Sequence, residues 1–150
     1  MNYQLKNNKE GEDKWSHQAI GAAMEVHRHL GPGLLESACE ECLCHELNAL
    51  GVPFERQKAL PVSYKGISLD CGYRMDVVVD ASLVLEFKSV ETLLPIHEAQ
   101  LLTTLRLSGL RLGLLGQLQR AAPQKRHPTH GQPFSSPFYM VFIFCSSSRP

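Results

Sequence analysis

The stretch YRMDVVVDASLVLEFKSV, residues 73–90, decides the fold class of this chain. It contains two apolar runs, residues 73–79 and 83–90, separated by Asp80-Ala81-Ser82. Short runs rich in valine, leucine and aromatic residues, bounded by turn residues, predict two β-strands joined by a turn. The second run is apolar enough to lie in the middle of a sheet.

Helices and further strands are predicted on either side of this hairpin. Apolar residues at 3.6-residue spacing predict helices, and an apolar period of two predicts strands. In chain order, we predict a helix from Trp15, a helix over residues 34–50, a strand over residues 59–71 that turns at Lys65-Gly66, the strands 73–79 and 83–90, a helix over residues 96–108 opened by Pro95, and a strand over residues 110–115. The order α-α-β-β-β-α-β predicts an α/β fold with a mixed sheet flanked by helices.

Charge divides the chain unevenly. Residues 1–98 hold fifteen acidic and nine basic residues, a formal charge of −6, whereas residues 99–150 hold six basic residues and no acidic one. We expect a polar arm over residues 1–14, a domain over residues 15–115 and an atypical tail over residues 116–150. The tail is either a basic extension that contacts phosphates or the product of a shifted reading frame. Its apolar run, residues 138–145, is either a late edge strand or an exposed aggregation-prone segment.

Composition excludes several classes of protein. No apolar run approaches the ~20 residues that span a bilayer, so no membrane partner is expected. The polar segment before Trp15 does not resemble a secretory signal. The five cysteines are therefore expected to be reduced thiols in the cytoplasm. Cys39, Cys42 and Cys44 beside His45 lack the second ligand pair of a zinc site, so core or incidental cysteines are expected.

Two carboxylates and a lysine interrupt the apolar hairpin. Side chains alternate along a strand, so Glu86 and Lys88 share a face. If the turn is centred on Ala81, Asp76 lies directly opposite Glu86, with Cβ atoms roughly 4.5–5.5 Å apart. Facing carboxylates repel, and a bound Mg²⁺ or Mn²⁺ removes the repulsion. Lys88 would orient or deprotonate a metal-bound water. The alternative is a surface hairpin with Glu86 and Lys88 on a wet face.

Together with the hairpin, three further features give the chain a family resemblance. The matching stretches are IGAAMEVHRHLGPGLLE over residues 20–36, GYRMD over residues 72–76, LEFKSV over residues 85–90 and HEAQLLT over residues 97–103. Over residues 15–115 the chain resembles the PD-(D/E)XK superfamily of restriction-endonuclease-like and RecB-like nucleases. More specifically, it resembles the small bacterial proteins of the GxxExxY family.

The resemblance implies a role for each matching residue. Asp76 and Glu86 bind the metal with the Phe87 carbonyl, and Lys88 acts on the attacking water. Glu36, the acid of the family's name motif, completes the metal site from the preceding helix. Gln100 on the later helix positions substrate or water. The implied cofactor is Mg²⁺ or Mn²⁺ and the implied partner is DNA or RNA, which Arg74, Arg106 and Arg111 are candidates to contact.

Three departures from the family pattern bear on activity. Cys39 stands where the name motif has tyrosine, and Thr104 stands where family members usually carry an aromatic residue. The last strand turns into Gly116-Gln-Leu-Gln-Arg instead of the usual ending. The family resemblance makes an Mg²⁺-dependent nuclease the first hypothesis. Because of the three departures, the alternative is a catalytically inactive module of the same fold that binds nucleic acid or another protein.

Overall fold

The structure is a computed structural model that describes residues 3–31, 33–70, 72–117 and 142–146, with side chains described from residue 14 to residue 117 outside the gaps. The helices are α1 (Tyr3–Leu30), α2 (Glu36–Ala49) and α3 (Pro95–Ser108). The strands are β1 (Phe54–Ala59), β2 (Val62–Tyr64), β3 (Ile67–Leu69), β4 (Arg74–Val79), β5 (Leu83–Lys88), β6 (Leu112–Gln117) and β7 (Phe142–Ser146). No helix among the described residues is long and apolar enough to cross a membrane.

Five strands form one mixed sheet in the order β1-β4-β5-β6-β7. Neighbouring strands are antiparallel except β5 and β6, which are parallel and are joined through α3. A parallel connection needs a crossover of this kind because the chain must return to the same end of the sheet. At one end of the sheet β4 begins with Arg74, β5 ends with Lys88 and β6 ends with Gln117. We call this end the Lys88 end of the sheet.

The β4–β5 hairpin has the predicted register. Val79 pairs with Leu83, Val78 with Val84 and Val77 with Leu85. Asp80 and Ala81 both have positive φ angles, and the backbone N–H of Ser82 donates to the Val79 carbonyl at 3.0 Å. Two consecutive residues in the left-handed region match the right-handed twist of the flanking strands. The turn is therefore tight and centred where the sequence predicts.

The sheet separates two apolar cores. On one side, buried residues of α1 and α2 such as Ala22, Leu43 and Leu47 pack against Val77 and Leu85. On the other side, Leu101 and Leu105 of α3 pack against Val78, Val84 and Leu115. A Cβ atom at Gly113 would lie 2.9 Å from a methyl carbon of Leu101, so the glycine permits the close approach of α3 to β6.

The β2–β3 hairpin forms a separate two-stranded sheet. It is inserted between β1 and β4, at the Lys88 end, because Ala59 at the end of β1 pairs with Arg74 at the start of β4. The backbone N–H of Leu60 donates to the Tyr73 carbonyl at 2.8 Å and closes the base of the insertion. Its turn is the predicted Lys65-Gly66, and both residues have positive φ angles.

Several boundaries differ from the predicted ones. Helix α1 begins at Tyr3 rather than at Trp15, and β1 was not predicted at all. Strand β6 continues to Gln117, beyond the expected end at residue 115. The apolar run of the tail supplies β7, which pairs with β6 at the edge of the sheet. The predicted irregular stretch over residues 118–137 lies outside the described residues.

Candidate active site

The hairpin brings Asp76 and Glu86 to the Lys88 end of the sheet. The paired register ends at Val77 and Leu85, and its continuation by one residue places Asp76 opposite Glu86. The Asp76 carboxylate accepts a hydrogen bond from the backbone N–H of Phe87, in the neighbouring strand. Asp76 is half-buried and Glu86 is buried. The structure therefore brings together the two acids that the sequence predicted as neighbours.

Burial dominates the electrostatics of both acids. Removal from water raises the pKa of Asp76 above its ordinary value, and the positive charge of Lys88 opposes the shift. Removal from water also raises the pKa of Glu86; Lys88 again opposes it, while the negative charge of Asp76 adds to it. A carboxylate that loses water without gaining an equivalent partner is costly to ionise. Additional positive charge at this point would favour the ionised pair.

The two oxygens of Glu86 have different surroundings. Oε1 accepts a long hydrogen bond of 3.5 Å from the hydroxyl of Thr104, a fully buried residue of α3. The hydroxyls of Thr104 and Tyr73 lie 3.4 Å apart. Oε2 is buried and has no hydrogen-bond partner within the described part of the chain. Buried polar atoms almost always have a partner, so this carboxylate oxygen is available to a water molecule or a bound ion.

Lys88 completes the group of charges. Its side chain is half-buried, and its charge lowers the pKa of both Asp76 and Glu86. Among the described residues, Lys88 forms no ion pair within 4.0 Å. Its ammonium group therefore lies near both acids without being committed to either of them.

Glu36 reaches the same region from the start of α2. Its Oε1 accepts a 2.7 Å hydrogen bond from the backbone N–H of Ser89, the residue after β5. The Ser89 hydroxyl donates to the Leu34 carbonyl at 3.2 Å. The Glu36 charge contributes to the raised pKa values of Asp76 and Glu86. Glu36 is thus near the acidic pair, and one of its oxygens holds the end of β5.

Glu40 is a site neighbour that the sequence reasoning did not select. It is buried one turn after Glu36, and its charge raises the pKa of Asp76. Its carboxylate accepts a hydrogen bond from Nε of Arg56 and another, at 2.6 Å, from the Gln57 amide. The signal was present in the sequence, because residues 36 and 40 share a helical face. Glu40 therefore fastens β1 to α2 beside Asp76.

Thr104 is a second residue whose contact was not predicted. The sequence indicated only the loss of an aromatic side chain there, whereas the structure places its hydroxyl against Glu86. Gln100 lies one turn earlier on α3, about 6 Å along the helix axis, and its side chain is exposed. No described hydrogen bond joins Gln100 to the acids, and its role stays a prediction.

The three candidate phosphate contacts lie at different ends of the sheet. Arg74 is exposed at the Lys88 end, where its Nη1 donates to the Gln57 carbonyl at 3.2 Å. Arg106 is in the last turn of α3 and Arg111 precedes Leu112, which pairs with Leu83 at the opposite end. Only Arg74 therefore lies beside the acidic pair, and a contact from the other two would be remote from it.

Three of the five cysteines have described side chains, and all three lie on α2. Cys39 and Cys44 are buried, and Cys42 is half-buried. Burial raises the pKa of Cys39 to about 12, so its thiol stays protonated in the core. Cys39 fills the apolar slot expected of it in place of tyrosine. Within the described ranges no three His, Cys, Asp or Glu side chains are grouped closely enough to enclose an ion.

Comparison with known families fits this arrangement. The family model of the PD-(D/E)XK nuclease superfamily matches residues 13–127. The chain belongs to this superfamily. The PD-(D/E)XK match includes Glu36, Asp76, Glu86, Lys88 and Gln100, and it supports the restriction-endonuclease-like fold. Nucleases of this superfamily typically use divalent metals, and their substrates are nucleic acids.

Comparison with the curated proteins and with the solved structures does not extend the PD-(D/E)XK assignment. None of the curated proteins matches this chain. The crystal structure of SSO0001 matches 96% of this chain with a TM-score of 0.48 and 16% sequence identity. The present chain covers 63% of the length of that solved chain.

The PD-(D/E)XK acids fit a divalent cation on structural grounds. Mg²⁺ is usually held by one or two carboxylates, with water and substrate phosphate supplying the remaining oxygens. Asp76, Glu86 and the backbone of Phe87 are near one another, and Glu86 Oε2 has an unused lone pair within the described part of the chain. The absence of a third enclosing acid among the described residues is therefore compatible with this kind of site.

Proposed function

We propose that this chain is an Mg²⁺- or Mn²⁺-dependent nuclease that hydrolyses phosphodiester bonds of DNA or RNA. One observation carries the proposal, the surroundings of Glu86. Within the described part of the chain its buried Oε2 has no hydrogen-bond partner, and the charges of Asp76 and Lys88 both act on its carboxylate. Burial makes the two carboxylates costly to ionise even beside Lys88, and a divalent cation would offset that cost. Their cost becomes useful if they hold one.

The metal ligands in this proposal are Asp76, Glu86 and the Phe87 carbonyl. When bound, the cation would polarise the phosphodiester and supply an acidified water as nucleophile. Asp76 is held in place by the Phe87 N–H, and Glu86 is held on one side by Thr104. Both acids therefore have fixed positions before any ligand arrives, which reduces the reorganisation needed on binding.

Lys88 is proposed to act on the attacking water. It shares the Lys88 end of the sheet with both acids and is half-buried, so its ammonium is limited to the neighbourhood of the reacting groups. As a donor it can orient the water and balance negative charge that develops on the phosphate. Its freedom from an ion pair among the described residues supports this role, since a committed ammonium would first have to leave its partner.

Glu36 and Gln100 are proposed as supporting residues of the site. Glu36 Oε1 is occupied by the Ser89 N–H, so its remaining oxygen would face the metal or a metal-bound water. Gln100 lies one turn from Thr104 on α3 and would position substrate or water. Arg74 is the candidate for phosphate contact nearest the acids, with Arg106 and Arg111 as remote candidates.

The finer assignment to the GxxExxY family belongs to this proposal. It is supported by Gly33-Leu-Leu-Glu36 before α2 and by the order of the acidic and lysine residues. Cys39 replaces the tyrosine of the name motif and is buried in the core. We further propose a domain that begins at residue 15 and extends through β6 with β7 at its edge. A cytoplasmic location is also proposed, supported by the free thiols of the three cysteines whose side chains are described.

A second candidate is an inactive module that keeps the fold and binds nucleic acid or a protein. It is favoured by the lack of a group of three metal-ligating side chains in the described ranges. In that case Asp76 and Glu86 would remain protonated at a pH where an active site needs them ionised. Metal titration separates the two candidates, because only the first predicts a stabilising metal.

The decisive experiment combines metal binding with cleavage. Mn²⁺ is titrated while thermal unfolding is followed, and a fluorescent oligonucleotide reports cleavage. We expect Mn²⁺ to raise the Tm of the wild-type chain but not of Glu86→Gln, and Lys88→Ala to lose cleavage at least a hundredfold while retaining its fold. Lys14→Ala, an exposed lysine of α1, is the matched control. Full activity of Lys88→Ala would refute its role, and a metal-independent Tm would refute the metal site.

A further inference from the structure

The β2–β3 hairpin has one apolar face and one serine face. Val62 pairs with Leu69, Ser63 with Ser68 and Tyr64 with Ile67. Because paired residues of antiparallel strands share a face and faces alternate along each strand, the four apolar residues lie on one side and the two serines on the other. Such segregation normally accompanies burial of the apolar face against a core.

Three of these four side chains are exposed, and Val62 is half-buried. Tyr64 is 58% exposed, Ile67 is 60% exposed and Leu69 is 43% exposed. Neither buried core cluster includes any of the four residues. A cluster of exposed apolar side chains on one face of a hairpin is a candidate binding surface.

The hairpin stands at the same end of the sheet as the candidate active site. It is inserted between Ala59 and Arg74, and Asp76 is the second residue after Arg74. Strands of three residues extend about 10 Å, which is the length of roughly three nucleotides of a stacked strand at ~3.4 Å each. The hairpin is therefore long enough to border a few nucleotides of a strand whose cleaved phosphate lies at Asp76 and Glu86.

The chemistry of the hairpin tip suits a nucleotide. The Lys65 ammonium lies 5.3 Å from the centre of the Tyr64 ring, so a cation and an aromatic face are presented together. The aromatic ring offers a stacking surface for a base, and the ammonium offers a contact to the adjacent phosphate. Arg74 adds a second exposed cation at the base of the hairpin.

The size of the face argues against a protein partner as its sole occupant. A stable protein interface buries about 800 Å² on each partner. Four side chains on two three-residue strands, of which three are about half exposed, provide much less than this. A nucleobase needs only one such aromatic face and an apolar border, and apolar side chains commonly border or wedge unstacked bases.

We infer that the Val62–Tyr64–Ile67–Leu69 face is a stacking platform for an unpaired base of the substrate, close to the cleaved bond. The inference rests on the proposed nuclease function and deepens it, because it assigns a preference for single-stranded or frayed nucleic acid. Tyr64 contacts the base, Lys65 contacts the flanking phosphate, and the aliphatic residues exclude water from the stack.

The test compares two oligonucleotides that share a phosphate backbone. Binding of the full chain is measured by fluorescence anisotropy in EDTA, with an oligothymidylate of about 12 nucleotides, a length within single-strand site sizes, and with its abasic counterpart. We expect Tyr64→Ala to weaken binding to oligothymidylate about tenfold and to leave binding to the abasic strand unchanged. Tyr64→Trp should retain binding, and Ser68→Ala on the opposite face should behave as wild type.

The outcomes separate this inference from the proposed function. An equal loss on both strands, or no loss on either, would overturn the stacking platform even if the wild-type chain cleaves DNA. A change in oligomeric mass of Tyr64→Ala by light scattering, with DNA binding intact, would overturn it in favour of a contact between protein chains. Failure of the wild-type chain both to bind oligothymidylate and to cleave it with Mn²⁺ would instead overturn the nuclease function itself.

Discussion

The carboxylate of Glu36 accepts a 2.7 Å hydrogen bond from the backbone N–H of Ser89, and so joins the first turn of α2 to the end of β5. From the neighbouring strand β6, the Gln117 side-chain amide donates to the Val90 carbonyl at 3.1 Å. The residues that follow Lys88 are therefore held by an acid from a helix and by an amide from the neighbouring strand. This support fixes the direction in which β5 leaves the sheet.

Glu36 has two proposed contributions, a hydrogen bond that holds the end of β5 and a negative charge at the metal site. Substitutions of Glu36 should separate them. Glu36→Gln keeps an oxygen acceptor for the Ser89 N–H but removes the charge, so we expect unchanged stability and a loss of cleavage of about tenfold or more. Glu36→Ala removes both and should also lower the free energy of unfolding by about 1 kcal/mol. Urea denaturation and cleavage rates measure the two effects. Wild-type cleavage by Glu36→Gln would limit Glu36 to holding β5.

Glu86→Gln should stabilise the metal-free chain at neutral pH. Burial raises the pKa of Glu86, so its ionisation opposes folding as pH rises through the raised folded-state value, and the penalty is absent below the ordinary value of 4.5. Replacing a buried, unsatisfied charged oxygen by a neutral amide should add about 1–3 kcal/mol at pH 7. Urea unfolding in EDTA at several pH values measures the difference between variant and wild type.

The advantage of Glu86→Gln should shrink as pH falls towards 4.5 and be absent below it, because the wild-type acid is then protonated in both states. Glu91→Gln, at an exposed position, is the matched control and should change stability little at any pH. Saturating Mn²⁺ should reverse the ranking, since only the wild-type carboxylate gains the cation. A variant that is less stable than wild type in EDTA at pH 7 would contradict the burial argument.

Thr104→Val should alter the pH dependence of cleavage. Valine keeps the shape of the side chain but removes the hydroxyl that donates to Glu86 Oε1, a contact that lowers the pKa of Glu86. Without it the pKa should rise further, and the acid limb of the pH–rate profile should move to higher pH. Steady-state rates at a series of pH values that spans the acid limb measure the shift.

Thr104→Ser provides the matched comparison because it retains the hydroxyl and loses only a methyl group. Its pH profile should coincide with that of the wild type, even if its stability falls by about 1 kcal/mol from the lost packing. If valine and serine shift the profile equally, Thr104 acts through packing alone and does not position Glu86.

The β4–β5 hairpin could be predicted because local rules determine it. Its alternating apolar residues select the strands, and a turn centred on Ala81 fixes the register that the structure has. The same holds for the Lys65-Gly66 turn. Strand β1 carries Glu55 and Arg56 at exposed positions and Lys58 at a half-buried one, so it has no apolar period of its own. Its strand conformation depends on pairing with β4, which a local pattern does not reveal.

Local sequence patterns could predict only those site residues that belong to the β4–β5 hairpin. Asp76, Glu86 and Lys88 follow from strand alternation and register. Glu40 shares a helical face with Glu36, which the spacing does encode. Its effect on Asp76, like the contact of Thr104 with Glu86, depends on how closely α2 and α3 approach the sheet, and no spacing within a helix encodes that distance. The resemblance of Glu36 and Gln100 to family motifs indicates roles, but the hydrogen bond from Ser89 to Glu36 becomes visible only when the elements are assembled.

The absence of a side chain at Gly113 has a chemical consequence beyond packing. Leu101 occupies the space that a methyl group would need, and Thr104 is one turn further along the same helix. Alanine at position 113 would require the end of Leu101, or α3 with it, to move away from β6, and a movement of α3 would lengthen the 3.5 Å contact that reaches Glu86. Gly113 therefore allows the Thr104 hydroxyl to meet a carboxylate on the adjacent strand, although it bears no functional group of its own.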